Sequence, residues 1–460
     1  GPEEWRDGER ELLQKAKDQV DALNARYANG GAPIFYFLHR RRELSRFDGV
    51  YMGRERKRGA LCDLVELLMA GDAEPFALIS APLPQDIHYC LTLDADTLLP
   101  PGALAKCIGA IAHPLNRPVS DQNGVVRLGH GVIAPRMRQT LSSAAKTPFA
   151  RLVSGESGVD LYASVASEFY QDVFGTGNFG GKGIFDVSAF RAALLNWIPE
   201  NTVLSHDLLE GCFLRAGFLG DVALYDGEPS TFAAWWKRQH RWMRGDWQLL
   251  PFLLPHLRDA AAGPHKTPLS LLSRVKMLDN LRRTLLAPSV LLLLLFMPYF
   301  GAGAYIWIGI VALWDGLLWD MFALLGSFFL NGFRARGGWG ALRDRGEAAL
   351  RALIEFVTLP FAAYRNCDAI IRSLWRVLIS HRNMLEWQTA AEASKKGKTE
   401  GLLSTCRLLW PCLTAGGLMT LSIFMGRMPL ASAVLALLFF AAPALVLRLY
   451  RPCAEETLAP

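Results

Sequence analysis

From residue 284 to residue 314 the chain carries no charged side chain. Such a stretch folds stably only where water is excluded. A helix rises about 1.5 Å per residue, so crossing a bilayer core takes roughly 20 apolar residues. The run is too long for one crossing and somewhat short for two. A turn at residues 298–303 would let a second span continue to about residue 329. That span must accommodate Asp315 and Asp320, which hint at a polar path and fit a helix pair facing the protein interior as well. Further apolar runs at 408–425 and 429–447 bring the expected transmembrane helices to about four. Lys and Arg crowd residues 334–398, whereas the turns 298–303 and 426–428 are nearly uncharged. By the positive-inside tendency, residues 1–283, residues 334–398 and the C-terminus face the cytoplasm. Near residues 350–381, the segment 370–380 mixes Ile371, Trp375 and Leu378 with Arg372 and Arg376. That pattern suits a helix lying in the membrane interface, and equally an amphipathic helix packed on the soluble part.

Composition divides the chain near residue 283. Residues 1–283 mix charged and apolar side chains as a soluble α/β domain does, and residues 284–460 form a membrane region. The net charge of +6 is modest and fits basic residues beside membrane segments. No RNA- or DNA-binding motif accompanies it, so nucleic acid is not an expected partner. The eight cysteines, at 62, 90, 107, 212, 367, 406, 412 and 453, form no Cys-x-x-Cys pair. They read as reduced thiols rather than a zinc site or a disulfide framework. Residues 3–17 are charged throughout, so no signal peptide is expected, and Gly1-Pro2 reads as a protease scar or as native sequence.

Leu13, Ala16, Val20, Leu23 and Tyr27 fall at helical spacing and predict a helix over 9–27. A short strand at 34–39, a basic segment at 39–58 and a helix at 61–69 ended by Gly71 follow. A strand at 87–93 and a helix at 102–111 continue the alternation. It argues for a mostly parallel, doubly wound sheet with helices on both faces, whose ligands bind beyond the carboxyl ends of its strands.

The strand at 87–93 ends on Asp94-Ala-Asp96. A pair of carboxylates can hold a divalent cation, the Lewis acid that a departing nucleoside diphosphate needs. On a strand end, side chains at i and i+2 point the same way, so one reaches the metal and the other the sugar nucleotide. A strand-terminating turn uses Asp in the same pattern. In Ser205-His206-Asp207, Asp207 offers a carboxylate to take the proton of an attacking sugar hydroxyl, with His206 as a positioning neighbour. Asp207 with Glu210 also fits a helix capping pair. Trp235, Trp236, Arg238, Gln239, Arg241, Trp242, Arg244 and Trp247 crowd one short segment. Arg forks suit diphosphate oxygens and Trp faces suit sugar rings. A juxtamembrane anchor looks similar, but the first apolar run begins well downstream. The glycine-dense segment 174–183 reads as an acceptor-side loop carrying Gly177, Asn178 and Lys182, or as a plain surface loop. Gly183 after Lys182 excludes a Walker phosphate loop.

Together these residues resemble the glycosyltransferase domain of cyclic β-1,2-glucan synthases (glycosyltransferase family 84), kin to processive family 2 synthases such as cellulose synthase. The likeness runs through Arg54-Glu-Arg-Lys-Arg-Gly-Ala-Leu61, Leu93-Asp-Ala-Asp-Thr97, Ser154-Gly-Glu-Ser-Gly-Val-Asp160 and Tyr170-Gln-Asp-Val-Phe-Gly175. It continues in Gly181-Lys-Gly-Ile-Phe-Asp-Val187, the segment 199–211, the segment 238–248 and Leu385-Glu-Trp-Gln-Thr389. The resemblance implies a GT-A-type, Rossmann-like fold followed by an α-helical transmembrane region, in a bacterial inner membrane. It also implies UDP-glucose as donor, Mg²⁺ or Mn²⁺ as cofactor, and inverting, processive transfer to a β-1,2-glucan acceptor. It places Asp94 and Asp96 on donor and metal, Asp207 as base, and Lys57 and Arg58 on a donor-side loop. Arg238, Gln239 and Arg241 are expected on the donor; Trp242, Gly177, Asn178, Lys182 and His206 are expected on the acceptor. Self-priming in such enzymes makes Tyr162 and Tyr170 candidate hydroxyls, with packing tyrosines as the plainer reading.

Three departures stand out. The broader pattern Gln-x-x-Arg-Trp has Arg238 at its first position here, with Gln239 one place later. The usual Glu-Asp base motif is His206-Asp207. A first strand ending in a nucleotide-contacting Asp is expected upstream of residue 3, so the chain reads as truncated at its N-terminus. The family's cyclising and phosphorylase regions have no counterpart here, so a linear glucan is the expected product. The rivals are a processive synthase of another β-linkage and a non-catalytic membrane scaffold or translocation channel.

Overall fold

The computed structural model describes residues 2–153, 168–195, 197–259, 263–299, 303, 338–386 and 401–449. Tyr162, Asp315, Asp320 and the expected second span lie outside them. The longer helices of the first half are Glu9–Tyr27 (α1), Arg56–Ala70 (α2), Ala103–Ile111 (α3), Val187–Leu194 (α4) and Asp207–Phe213 (α5). Then come Phe232–Gln248 (α6), Leu271–Phe296 (α7), Gly338–Val357 (α8) and Leu359–Trp375 (α9). The last three are Leu402–Leu408 (α10), Trp410–Phe424 (α11) and Pro429–Leu449 (α12).

The central sheet has four strands, Tyr89–Thr92 (β1), Val132–Gln139 (β2), Gly183–Asp186 (β3) and Gly217–Asp226 (β4), in the order β4-β2-β3-β1. Only β4 and β2 run parallel; β3 is antiparallel to both its neighbours. The expected mostly parallel sheet is therefore, among the described residues, a mixed one. The cause is local. Part of the glycine-dense segment read as a loop becomes a strand, pairing Gly183 with Thr92 and Ile184 with both Leu91 and Ile133.

Helices do cover both faces. Ile133, Ile184 and Val222 pack on Ala103, Cys107 and Ile111 of α3. Val132, Ala134 and Phe185 share a second core with Phe190 of α4 and with Leu209 and Phe213 of α5. Successive residues along β2 and β3 thus enter opposite cores, as a pleat of period two requires. At the chain's start α1 matches its predicted span and buries no residue. Near it, Leu38–Arg40 pairs antiparallel with Phe76–Ile79.

Leu271–Tyr299 and α12 are each long and apolar enough to cross a membrane. The helices α10 and α11, bent by 76° at their junction, make up to a third span. Pro411 in the first turn of α11 explains the break, because its ring blocks a helix from continuing through that point. Two or three candidate spans therefore stand among the described residues, where the first, third and fourth were expected. The expected boundary at residue 283 falls inside α7, which runs through it without interruption.

One face of α9 packs on α6 and α7. His240 Nε2 lies 2.8 Å from Asp368 Oδ2, Ser373 Oγ donates to the Arg244 carbonyl, and Asn366 Nδ2 donates to the Thr284 carbonyl. The opposite face leaves Ile371 and Trp375 exposed, and Leu378 and Ile379 continue the exposed row in the π-helical turn that follows. Among the described residues the segment 370–380 is thus packed on one side and leaves apolar side chains exposed beside Arg372 on the other.

Candidate active site

β1 delivers Asp94 beyond its carboxyl end, and a turn fixes it there. Thr97 N–H donates to the Asp94 carbonyl at 3.1 Å, and Asp94 N–H donates to Thr97 Oγ1 at 3.2 Å. The Asp-x-Asp pair therefore lies in a turn rather than on a continuing strand, and strand alternation does not orient it. Asp96 is exposed, whereas Asp94 is half-buried and held by two lysines. Lys57 Nζ reaches Asp94 Oδ1 at 2.5 Å, and Lys182 Nζ reaches Oδ2 at 3.0 Å. Burial alone would raise the Asp94 carboxyl, but the two ammonium groups outweigh it and hold the pKa below the usual range. Lys182 also pairs with Asp226 at the end of β4, and Thr97 Oγ1 donates to the other oxygen of Asp226 at 2.7 Å. Burial works against the Lys182 charge, yet Asp226 and Asp94 keep its pKa raised.

The residue before Lys182 joins this cluster to the candidate base. Gly181 has φ of +80°, and a Cβ there would stand 2.5 Å from Asp207 Oδ1. Only glycine lets that carboxylate lie against the loop backbone. The Gly181 carbonyl accepts from Lys57 Nζ at 2.8 Å. One dipeptide, Gly181-Lys182, thus touches Lys57, Asp94 and Asp207.

Asp207 is the first residue of α5, so it does not cap the helix, and His206 at the N-cap makes no side-chain cap bond. His206 is buried, with Nδ1 2.8 Å from Glu210 Oε1 and 3.5 Å from Asp207 Oδ1. The contact with Glu210 is an ion pair lying off the hydrogen-bond axis, since neither atom completes a hydrogen bond. Desolvation would lower the His206 pKa, but Glu210 and Asp207 raise it overall. The expected acceptor contact of His206 does not fit this burial; the ring stands behind Asp207. His206, Asp207 and Glu210 form a grouping of metal-type ligands within 4.8 Å of one another, closed on itself by the ion pair.

α6 supplies the other wall. Arg241 and Trp242 lie on one face, and Arg238 one turn earlier stacks over the Trp242 ring at 4.9 Å. Burial lowers the Arg241 pKa, with Arg238 adding to the lowering and Asp207 and Asp94 opposing it. Arg238 directs its fork to Glu228, with Nη1 3.1 Å from Oε2. Gln239 is half-buried on the same helix. Gly245 lets α6 touch the base segment, because a Cβ there would fall 2.3 Å from Ser205 Cβ. Gln248 completes the join: its Oε1 accepts from Leu204 N–H at 2.7 Å and its Nε2 donates to the Met384 carbonyl.

Other expected site residues lie elsewhere. Arg58 is buried and paired with Glu55 at 2.5 Å, so it braces the loop instead of facing a donor. The Gly177 carbonyl accepts from Lys276 of α7 at 2.8 Å, and Asn178 Nδ2 donates to Glu168 at 3.0 Å; both are engaged within the protein. Lys182, expected on the acceptor side, stands with Asp94. Tyr170 is buried under the Lys276 ammonium, 4.8 Å from its ring centre, the placement of a packing tyrosine rather than of an accessible hydroxyl. Sequence reasoning missed Gly181, Asp226, Gly245, Gln248 and Lys276. The glycine-dense segment carried a signal for the first of these, but long-range contacts alone reveal the rest.

No protein-family model matches the chain. Over 444 residues it is 36% identical to the protein named cyclic beta-(1,2)-glucan synthase NdvB from Rhizobium meliloti (strain 1021). The alignment takes in 94% of this chain and 15% of that protein, so the chain spans a small part of its relative's length. With an alignment of that identity along almost all of its residues, the chain is a domain related to the cyclic β-1,2-glucan synthases.

Proposed function

We propose that this domain is a membrane-bound, processive, inverting glucosyltransferase that transfers glucose from UDP-glucose to a growing β-1,2-glucan. The observation that carries the reading is the Gly181-Lys182 junction, which sets the Asp207 carboxylate beside the Lys57, Lys182 and Asp94 cluster. The name of the relative supports the same chemistry and the linkage.

In this reading an acceptor hydroxyl attacks the anomeric carbon as Asp207 takes its proton. The new C–O bond forms on the face opposite the breaking bond to the diphosphate, so the configuration inverts. General-base help of this kind is worth roughly 10²–10⁴-fold in rate. In this reading Lys57 and Lys182, which meet at Asp94, together with Arg241 of α6 stabilise the charge that develops on the leaving diphosphate. Trp242 offers an aromatic face to the sugar. Asp94 and Asp96 are hard oxygen donors, and an exposed second carboxylate fits a cation that takes the rest of its shell from phosphate oxygens and water. Mg²⁺ or Mn²⁺ bound there would act as Lewis acid on the leaving diphosphate.

The test is incorporation of labelled glucose from UDP-glucose by the membrane-reconstituted chain, with Asp207→Asn alongside. Product made only with Asp207 intact and degraded by a β-1,2-glucanase is the expected result. Equal activity in both proteins removes Asp207 as base, and a product resistant to that glucanase removes the linkage.

A further inference from the structure

We propose that the cleft around Trp197 is a second carbohydrate site, which holds a stretch of glucan chain at the end of α5 remote from Asp207. That the sugar is a β-glucan deepens the sugar-transfer reading and rests on it. Trp197 lies just after α4, and its indole is fixed in two ways. Its Nε1 donates to the Asn123 carbonyl at 2.9 Å, and its ring stacks against Phe213, with centroids 6.4 Å apart and planes 27° from parallel. The ring is half-buried, and what Phe213 leaves uncovered lines a cleft of about 560 Å³. Two hairpins form the walls, Val119–Ser120 with Val126–Leu128, and His256–Asp259 with Gly263–Lys266. Arg127 joins them, its Nε donating to Asp121 at 2.8 Å and its Nη2 to the Pro268 carbonyl at 2.7 Å.

The rim decides what fits. Gln122, Asn123 and Lys266 stand exposed on it, and among the described residues their side chains make no hydrogen bond or ion pair. Arg127 is neutralised by Asp121, which leaves Lys266 as the uncompensated charge among the described lining residues. An anion site gathers more positive charge than that. A neutral ligand rich in hydroxyls can use amide donors, amide acceptors and an ammonium alike. A fixed aromatic surface with a few convergent polar groups suits a sugar ring, whose apolar face lies on the indole while its hydroxyls reach the rim. The position gives the site a purpose. Phe213 is the last residue of α5 and Asp207 the first, about 9 Å apart along the axis. Trp197 thus packs one short helix length from the candidate base. A chain held there re-engages the domain as an intramolecular step rather than by a new encounter.

The experiment is photolabelling of the full chain in nanodiscs with a linear β-1,2-glucan oligosaccharide that carries a terminal diazirine, the labelled peptides being identified by mass spectrometry. Label on residues 119–128 or 263–268, competed by the unmodified oligosaccharide, is the expected result. Trp197→Ala should weaken that labelling by about tenfold or more, the usual loss when an aromatic anchor is removed. Because Trp197 also packs on Phe213, the double variant Gln122→Ala, Asn123→Ala guards against a folding defect. It alters exposed side chains alone, and should lose label while keeping its melting temperature. In glucose incorporation from UDP-glucose, the same double variant should make shorter chains at an unchanged initial rate. Absence of label from the cleft peptides overturns the second site, and label around Asp207 in the same sample shows that the transfer reading survives it. Displacement of the cleft label by inorganic phosphate overturns the carbohydrate assignment in favour of an anion site. Equal competition by a maltooligosaccharide overturns the β-glucan identity. Unchanged chain length in a variant that has lost the label overturns retention of the chain.

Discussion

Gly181 is where the loop backbone meets the carboxylate of the candidate base. Its left-handed backbone and the carboxylate of Asp207 occupy space that a methyl group would need. Gly181→Ala should leave the domain folded but displace Asp207, and misplacement by about 1 Å can cost roughly a hundredfold in rate. Transfer rate against melting temperature checks this: a rate near wild type would show that the close approach is not needed. His206 gives a second residue-scale prediction. Its folded pKa is raised by Glu210 and Asp207, against desolvation and the opposing charge of Arg58. The stabilisation from that pair is therefore complete below the ordinary value of 6.5 and fades as pH climbs through the raised one. A melting temperature that declines above neutral pH in the wild type, and a flatter profile in His206→Gln, are the expected results. The position of Asp94 just past an apolar strand was legible in the sequence, and so was a helix starting near Asp207; that both lie against Gly181-Lys182 was not. Arg58 was misread: a run of basic residues looks alike whether it faces a ligand or, as here, pairs inward with Glu55.

Elements were legible where their signal is local. α1 lies where periodicity puts it, and α3 begins one residue later than predicted. The sheet order was not, since β3 begins in a glycine-dense segment and its antiparallel pairing depends on partners far along the chain. Helix contacts escaped for the same reason. Nothing near Gly245 announces that α6 must approach Ser205, yet a Cβ there collides with it. Gly245→Ala should destabilise by about 1–3 kcal/mol, the usual cost of overpacking. It should also slow transfer, because the displaced residue lies two positions before Asp207. Thermal unfolding and a rate assay on the same sample test both. A stable variant with normal activity would mean that the two segments move apart at little cost.

At the scale of the molecule, apolar surface is concentrated on α7, α9, α11 and α12, where Leu292, Ile371, Phe424 and Leu437 stand exposed. Helices that span a bilayer resist extraction, so the chain should stay in the membrane pellet after an alkaline carbonate wash. Release into the supernatant would show that the apolar face only rests on the surface. The unbroken course of α7 has a mechanical meaning. Lys276, near its start, grips the carbonyls of Thr176 and Gly177, while its far end at Phe296 lies in the apolar stretch. At about 1.5 Å per residue the helix is a lever about 30 Å long. Its fulcrum lies at Thr176 and Gly177, just upstream of the Gly181 that seats Asp207. Lipid thickness sets the tilt of such a helix. A thinner or thicker bilayer should therefore tug on the loop, and turnover in nanodiscs should vary with acyl-chain length while a Lys276→Met lever, cut loose at its fulcrum, no longer responds.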